Sequence, residues 1–337
     1  MYAKFYGLDK LAFQLTPDPR FFFDSAEHRR AMAHLTYGLH NAEGFIVITG
    51  EVGAGKTMLV DRLLSQIDPH SFLTAKIVTS QLGGDDMLRM VASGFGLDHA
   101  GLPKATLLTR IQEFVLSQFA AGRRALLIID EAQNLSLEAL EELRMLSNIV
   151  VGTTTALQSF LLGQPQFRLV LGNQALDQLR QRITAAYHLG PLSEADTRGY
   201  IEHRLSCAGW KGDPQFDDEC FPQIYRHTGG VPRRINGLCS RLLLSGFLEG
   251  THTISAADTE QVAADLRTEL SGVAAESATP NGIGRLSPAA ENSLPLAAIC
   301  ERLDNLERMT VSHDRAIRRA IEIMARHFKN AEADELH

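Results

Sequence analysis

The sequence predicts an α/β fold, in which a parallel sheet carries helices on both faces and precedes a small all-helical domain and a C-terminal helix. Two observations predict it. As far as about residue 190, apolar runs of strand length alternate with helical patterns, which is typical of βαβ units and a parallel sheet. From residue 193 to 268 the patterns are helical, with no convincing strand between them.

Composition narrows the class of protein. The chain has 337 residues, of which 45% are hydrophobic and 22% charged, and this usage excludes a disordered or collagen-like chain. The net charge of −7 disfavours a large non-specific nucleic-acid surface but leaves a local basic patch open. Because no apolar run reaches bilayer length and no signal peptide is recognisable, we expect a cytoplasmic protein that reaches the inner membrane only through partners.

The first region begins with residues 1–25, which are rich in aromatics and prolines and are expected to pack against a domain as an extended segment. Phe45–Thr49 is predicted to be a buried strand because glycines bound an apolar run. Ala125–Ile129 is fully apolar, as a central parallel strand should be. The other predicted elements are helices over 26–42, 56–66, 84–95, 105–121 and 138–146 and strands over 76–79 and 157–162.

The later region contains only predicted helices, over 193–207, 217–227, 232–249 and 255–268. Four domains or segments follow from these patterns: an α/β domain over 1–190 with its N-terminal segment, a helical lid over 191–268, a flexible linker over 269–296 and an amphipathic helix over 297–330. The linker is dominated by Ser, Ala, Gly, Pro and Asn. The last helix either docks on its own protein or forms a short coiled coil or partner-binding helix.

A glycine-rich loop lies between the first predicted strand and the next helix. Gly50–Thr57 matches GxxxxGK[ST] in full, and its glycines let backbone N–H groups turn inward around phosphate oxygens. We expect Lys56 to reach the β- and γ-phosphates of a nucleotide and Thr57 to bind Mg²⁺. The expected nucleotide contacts are Gly50, Glu51, Val52, Gly53, Ala54, Gly55, Lys56, Thr57 and Met58, with Pro232 and Arg233 from the helical lid.

Two carboxylates end the apolar strand over 125–129. Asp130 is expected to hold Mg²⁺ and Glu131 to polarise the attacking water, because ligands bind at the carboxyl edge of parallel sheets. Together with the glycine-rich loop, this pair predicts a nucleoside triphosphatase of the P-loop type. The Asp-Glu pair and the helical second domain favour ATP and the AAA+ class.

The AAA+ class predicts further polar residues. Gln164, just after a strand, is expected to sense the γ-phosphate, and Arg233, in the first turn of a lid helix, to return a positive charge to the phosphates. Arg180 and Arg182 are both candidates for an arginine that completes the site of a neighbouring subunit. Two other expectations concern the aromatic run Phe21–Phe23, which could line the adenine pocket or pack in a core, and Thr79 or Ser80, which could restrain Glu131.

Seven short runs within residues 1–268 carry a resemblance to a known family. They are Phe5–Leu8, Leu15–Phe21, Tyr37–Leu39, Asp130–Leu135, Gly163–Pro165, Leu179–Ile183 and Gly229–Arg233. On these runs the chain resembles the ExeA-like (general secretion pathway protein A) AAA+ ATPases. The resemblance implies an ATPase that serves envelope secretion or assembly.

A subfamily resemblance rests on four longer runs, which are Phe21–Phe23, Glu43–Glu51, Gln158–Pro165 and His227–Gly230. They resemble the secretion ATPases encoded with exosortase (PEP-CTERM) and exopolysaccharide loci. The leading hypothesis is an ATP-dependent, Mg²⁺-dependent switch or motor, assembled as a ring or filament of identical subunits and bound to secretion or polysaccharide-export proteins. The alternatives are a DNA-bound regulator of the transposition type and a scaffold with little turnover.

Overall fold

Five parallel strands form the central sheet in the order β2-β3-β6-β1-β7. Their bounds are β1 Phe45–Gly50, β2 Phe72–Val78, β3 Arg124–Asp130, β6 Leu157–Gly163 and β7 Ile183–Leu189. The computed structural model describes residues 2–41, 44–78, 83–152 and 154–276. Every residue of β1 and β6 is buried, because helices cover both faces of the sheet, and a strand buried on both faces must be apolar throughout.

Helices follow the strands and then replace them. Their bounds are α1 Tyr2–Phe5, α2 Ala26–Asn41, α3 Lys56–Gln66, α4 Gly84–Gly94, α5 Lys104–Ala120, α6 Leu137–Leu146, α7 Phe167–Leu171, α8 Asp177–Arg180, α9 Glu194–Cys207, α10 Cys220–Thr228, α11 Pro232–Glu249 and α12 Ala256–Glu276. In the described residues, none of these helices has the length and hydropathy needed to cross a membrane.

Alternating side chains of β1 supply the cores on the two faces of the sheet. Phe45 and Val47 pack in the core formed with α4, α5 and α6, whereas Ile46 and Ile48 pack in the core formed with α2 and α3. This alternation is the two-residue period of a strand. The expected parallel sheet with helices on both faces is therefore confirmed.

The N-terminal aromatics belong to a third core. Tyr6, Phe13 and Phe21 are nearly inaccessible and pack among the helices α9 to α12. The segment is predicted to be part of the α/β domain over 1–190, but its apolar contacts are with the helical lid. The reason is one of size, because a domain of only four helices buries a limited apolar surface by itself, and the aromatic rings complete its core.

Several elements differ from the predicted ones. The edge strand β7 was not predicted, because its half-exposed residues do not form an apolar run. Two-residue strands also occur, paired as β4 Val150–Val151 with β5 Thr154–Thr155 and as β8 Gln215–Phe216 with β9 Thr253–Ile254. The lid therefore contains a short sheet, and α12 extends to Glu276 into the predicted linker. The rest of that linker and the predicted helix over 297–330 lie outside the described residues.

Candidate nucleotide-binding site

The carboxyl ends of three adjacent strands form the site. In the register of the sheet, Thr49 of β1 pairs with Gly163 of β6, and Leu161 of β6 pairs with Ile129 of β3. The loop after β1, Gln164 after β6 and the carboxylates after β3 therefore meet at one edge. A ligand at this edge lies where open α/β sheets bind their substrates.

Two glycines of the loop after β1 have a backbone that other residues rarely adopt. Gly53 and Gly55 have φ values of 81° and 102°, which glycine reaches without a steric cost. Neither position has room for a side chain. A Cβ at Gly53 would collide with the Arg233 side chain, and a Cβ at Gly55 would lie 2.8 Å from Nε2 of His28. The loop is thus a cradle whose shape depends on glycine, of the kind in which backbone N–H groups can surround phosphate oxygens.

Lys56 holds a buried positive charge in this cradle. It is 6% exposed, and its Nζ donates to the carbonyl oxygens of Gly50 at 2.8 Å and Glu51 at 3.0 Å. Burial lowers the pKa of the ammonium group, while the nearby carboxylates of Glu131 and Asp130 raise it in part. A cation held by neutral carbonyls in a partly buried loop suits a polyanionic ligand.

Thr57 and Asp130 form a pair of oxygen ligands beside the cradle. The Thr57 hydroxyl donates to Oδ2 of Asp130 at 2.7 Å, and the backbone N–H of Glu131 donates to Oδ1 at 2.9 Å. Hydroxyl and carboxylate oxygens are the donors that Mg²⁺ prefers. The donor set therefore fits the predicted magnesium ligands.

Glu131 has the one positive φ among non-glycine residues of the described chain, at 58°. Its Oε2 accepts from Nε2 of Gln133 at 2.6 Å and from Nε2 of Gln164 at 3.1 Å. Burial raises the pKa of this carboxyl, but the two amide donors and the charge of Lys56 outweigh it, so the pKa is lowered. The carboxylate is therefore ionised at neutral pH and oriented toward β6.

Arg233 lies against the cradle from the lid side. Pro232 occupies the first position of α11, where its missing N–H costs nothing. The N–H of Arg233 donates to the carbonyl oxygen of Gly53 at 3.2 Å, and its side chain covers that glycine. The structure thus brings together Lys56, Thr57, Asp130, Glu131, Gln164 and Arg233.

Arg180 and Arg182 lie at the opposite edge of the sheet. The carbonyl oxygen of Arg182 accepts from the N–H of Phe45, where β1 begins, and its Nη1 donates to Oγ of Ser147 at 2.9 Å. Arg180 forms an ion pair with Asp177 at 2.6 Å. Among the described residues, neither arginine forms a hydrogen bond or ion pair with Lys56, Asp130 or Glu131.

The lid end of the cleft is built by residues that sequence analysis missed. A cavity of about 410 Å³ extends from the glycine-rich loop to Gln14–Asp18, Tyr200, Arg204 and Asn236. The spacing of four between Tyr200 and Arg204 places both on one face of α9. That spacing alone is too common to have identified them.

The aromatic run Phe21–Phe23 is not among the residues that line this cavity, and Phe21 follows the other expectation, which is packing in a core. Phe21 is 2% exposed in the lid core, and Phe22 contacts the ring of His28 edge-on with centroids 5.6 Å apart. The backbone turns at residues 19–21, so the residues before this turn line the cleft instead. Thr79 and Ser80 lie outside the described residues.

This fold and this site define a P-loop ATPase of the AAA+ class. The "AAA domain" family model matches residues 39–171. General secretion pathway protein A of Aeromonas hydrophila is 38% identical over 286 residues, which are 84% of this chain and 51% of that protein. The resemblance to ExeA-like AAA+ ATPases is therefore confirmed, although the chain spans about half the length of this relative.

Solved structures agree on the fold. The ORC2 protein of Aeropyrum pernix has a TM-score of 0.57 at 16% identity, covering 76% of this chain and 71% of that one. Cdc6p of Pyrobaculum aerophilum has a TM-score of 0.58 at 14% identity, covering 73% and 70%. At these identities the similarity establishes the AAA+ fold alone.

Proposed function

We propose that the chain is an ATP-driven switch or motor that hydrolyses ATP to ADP and phosphate between its α/β region and its lid. One observation carries this proposal: Lys56 and the pair Asp130-Glu131, which are far apart in sequence, meet at one cleft with their hydrogen bonds already formed. Such preorganisation is the main device by which phosphoryl-transfer enzymes act.

Each residue has a role that follows from its chemistry. Lys56 and the N–H groups of the loop hold the phosphate oxygens, and Arg233 adds a second positive charge from the lid. Thr57 and Asp130 would hold Mg²⁺, which when bound neutralises part of the phosphate charge. Glu131 accepts a proton from the attacking water as the water oxygen bonds to the γ-phosphorus and the bond to the bridging oxygen breaks.

The neighbour-completing arginine requires more than one copy of the chain. The start of β1, where the carbonyl oxygen of Arg182 accepts from the N–H of Phe45, is the end of that strand away from the glycine-rich loop, so Arg182, or Arg180 just before it, would serve the nucleotide of another subunit. We infer a nucleotide-dependent ring or filament on this basis. Hydrolysis would then change the position of the lid and the contacts between subunits together. A partner that binds the ATP-bound and ADP-bound states with different affinity must, by linkage, also change the affinity of the chain for nucleotide.

The partner class rests on the curated relative. Because General secretion pathway protein A matches 84% of this chain, we propose secretion proteins at the inner membrane as partners. Polysaccharide-export or exosortase-linked proteins are the finer proposal, resting on the subfamily resemblance. A DNA-bound regulator of the transposition type is the alternative, and duplex DNA would stimulate such a protein in a salt-dependent way.

Steady-state phosphate release from ATP tests the proposal. We expect wild-type turnover to fall by at least about 100-fold in Glu131→Gln, while Glu113→Gln, at an exposed position of α5, changes nothing. Turnover that survives in Glu131→Gln contradicts the assigned chemistry. Stimulation of several-fold by duplex DNA, lost at high salt, favours the regulator over the secretion ATPase.

A further inference from the structure

Gln133 uses both ends of its amide at the site. It lies in the short turn Ala132–Asn134 that follows β3. Its Nε2 donates to Oε2 of Glu131 at 2.6 Å, and its Oε1 accepts from the backbone N–H of Gln164 at 2.9 Å. One side chain therefore links the carboxylate after β3 to the residue that follows β6.

The chemistry of the two neighbours fixes the orientation of this amide. A backbone N–H only donates and an ionised carboxylate only accepts, so the Gln133 oxygen must face Gln164 and its nitrogen must face Glu131. The reversed amide would place two donors together at one end and two acceptors together at the other. The link is thus specific to glutamine.

A second bond closes a ring of three residues. The side chain of Gln164 donates to the same Oε2 of Glu131 at 3.1 Å. Glu131 therefore receives two amide donors on one oxygen, and both of these donors are tied to the end of β6. A displacement of Gln164 must move the carboxylate directly and also through Gln133.

The backbone of Glu131 provides an independent reason for this link. A non-glycine residue with φ at 58° keeps that conformation only where surrounding contacts hold it. The backbone N–H of Glu131 is held by Asp130, and its side chain is held by Gln133 and Gln164. Without Gln133, the carboxylate loses its shortest amide contact.

We propose that Gln133 is a positioning residue for ATP hydrolysis. It fixes the Glu131 carboxylate relative to Gln164 and transmits movements of Gln164, at the end of β6, to that carboxylate. The assignment rests on the proposed function, in which Glu131 accepts the proton. In the contacts described, Gln133 does not bond to the cleft side chains Lys56 and Thr57.

The test separates turnover from binding and folding. Gln133→Glu keeps an oxygen toward Gln164 but replaces the donor to Glu131 with a like charge. General-base catalysis contributes about 10²–10⁴-fold to a reaction rate, and a misdirected base loses part of that factor. We therefore expect kcat to fall at least about tenfold. The Kd of a fluorescent ATP analogue and the Tm should stay near wild type. Gln112→Glu, at an exposed position of α5, is the matched control.

A double-mutant cycle tests the transmission. If Gln133 and Gln164 act as one unit, Gln133→Ala with Gln164→Ala should lower kcat no more than the more damaging single variant. Independent losses that multiply would overturn the link, as would an unchanged kcat in Gln133→Glu. A raised kcat would mean that Gln133 restrains Glu131, which also overturns the assignment.

Two further outcomes have separate meanings. If kcat, Kd and Tm change together in Gln133→Glu, Gln133 supports the fold rather than the base, and the proposal fails while the proposed function stands. If Glu131→Gln keeps wild-type turnover, or the wild type has none, the proposed function fails and this assignment fails with it.

Discussion

The two ends of the cleft hold their polar side chains in different ways. We call the glycine-rich loop with Asp130 and Glu131 the phosphate end, after the ligand proposed there, and Tyr200, Arg204 and Asn236 the lid end. At the phosphate end, a loop of residues close in sequence holds the buried charge of Lys56. The Glu131 backbone beside this loop has a positive φ. At the lid end, Nε of Arg204 donates to the carbonyl oxygen of Ala12 at 2.7 Å, and its Nη1 donates to the Tyr200 hydroxyl at 3.1 Å. The Tyr200 hydroxyl in turn donates to Oδ1 of Asn236 at 2.9 Å.

The two ends differ in whether their polar side chains serve ligand binding or the stability of the fold. Arg204 is 7% exposed and connects the N-terminal segment to α9, so its hydrogen bonds stabilise the fold. Lys56 is equally buried, but its partners are two carbonyls of its own loop, and burial disfavours its charged form, which lowers the pKa of the ammonium group. We therefore expect substitutions at the phosphate end to cost binding and those at the lid end to cost stability.

The largest expected effect is that of Lys56→Ala on ATP binding. Loss of a charged contact to phosphate should weaken binding by about 3 kcal/mol, or roughly 100-fold, with little change in the free energy of unfolding. Equilibrium binding of a fluorescent ATP analogue and urea unfolding measure the two quantities. Lys211→Ala, at an exposed lid position, is the control. A large loss of stability in Lys56→Ala would contradict the comparison.

Arg204→Ala should have the opposite profile. It leaves the Ala12 carbonyl and the Tyr200 hydroxyl without their donor, and breaking a buried charged network costs about 3 kcal/mol of unfolding free energy. Urea unfolding without nucleotide measures this loss. Arg234→Ala, at an exposed position of α11, should stay within about 0.5 kcal/mol of wild type. Equal losses in the two variants would exclude a special role for the buried network.

Tyr200→Phe removes one hydroxyl from the same network. The ring stays, but Asn236 loses a donor and Arg204 loses an acceptor, so we expect a loss of about 1–2 kcal/mol. Combined with Arg204→Ala, the loss should be less than the sum, because the two residues share a hydrogen bond. Additive losses in urea unfolding would show that the hydroxyl acts alone.

The smallest effect concerns alkaline pH. Burial, with Asp213 and Glu249 nearby, raises the pKa of Tyr6 to about 12 from an ordinary 10.0. The folded state therefore keeps this proton after the unfolded state has lost it, so stability should fall as pH rises from about 10 toward 12. Unfolding at pH 9 and pH 11 should give a smaller fall in Tyr6→Phe than in wild type. Equal falls would contradict the raised pKa of Tyr6.

Much of the fold could be predicted because its signals are local. The apolar runs of β1, β3 and β6 and the glycines that bound β1 are visible along the chain. By contrast, β7 is recognisable only from its pairing with β1, since its residues show neither an apolar run nor a regular alternation of buried and exposed positions. The short pair of β8 and β9 likewise joins residues 215–216 to 253–254, which no local pattern connects.

By itself, the sequence determined the phosphate end of the site. The Gly50–Thr57 loop and the Asp130-Glu131 pair are local motifs, because backbone shape and strand ends fix where such residues point. Tertiary structure alone decided the rest. Gln133 can bond to Gln164 only because β6 lies beside β3. Arg204 finds its backbone acceptors only because residues 12–14 pack against the lid. Hydrogen bonds between segments far apart in sequence leave no periodic trace in either segment.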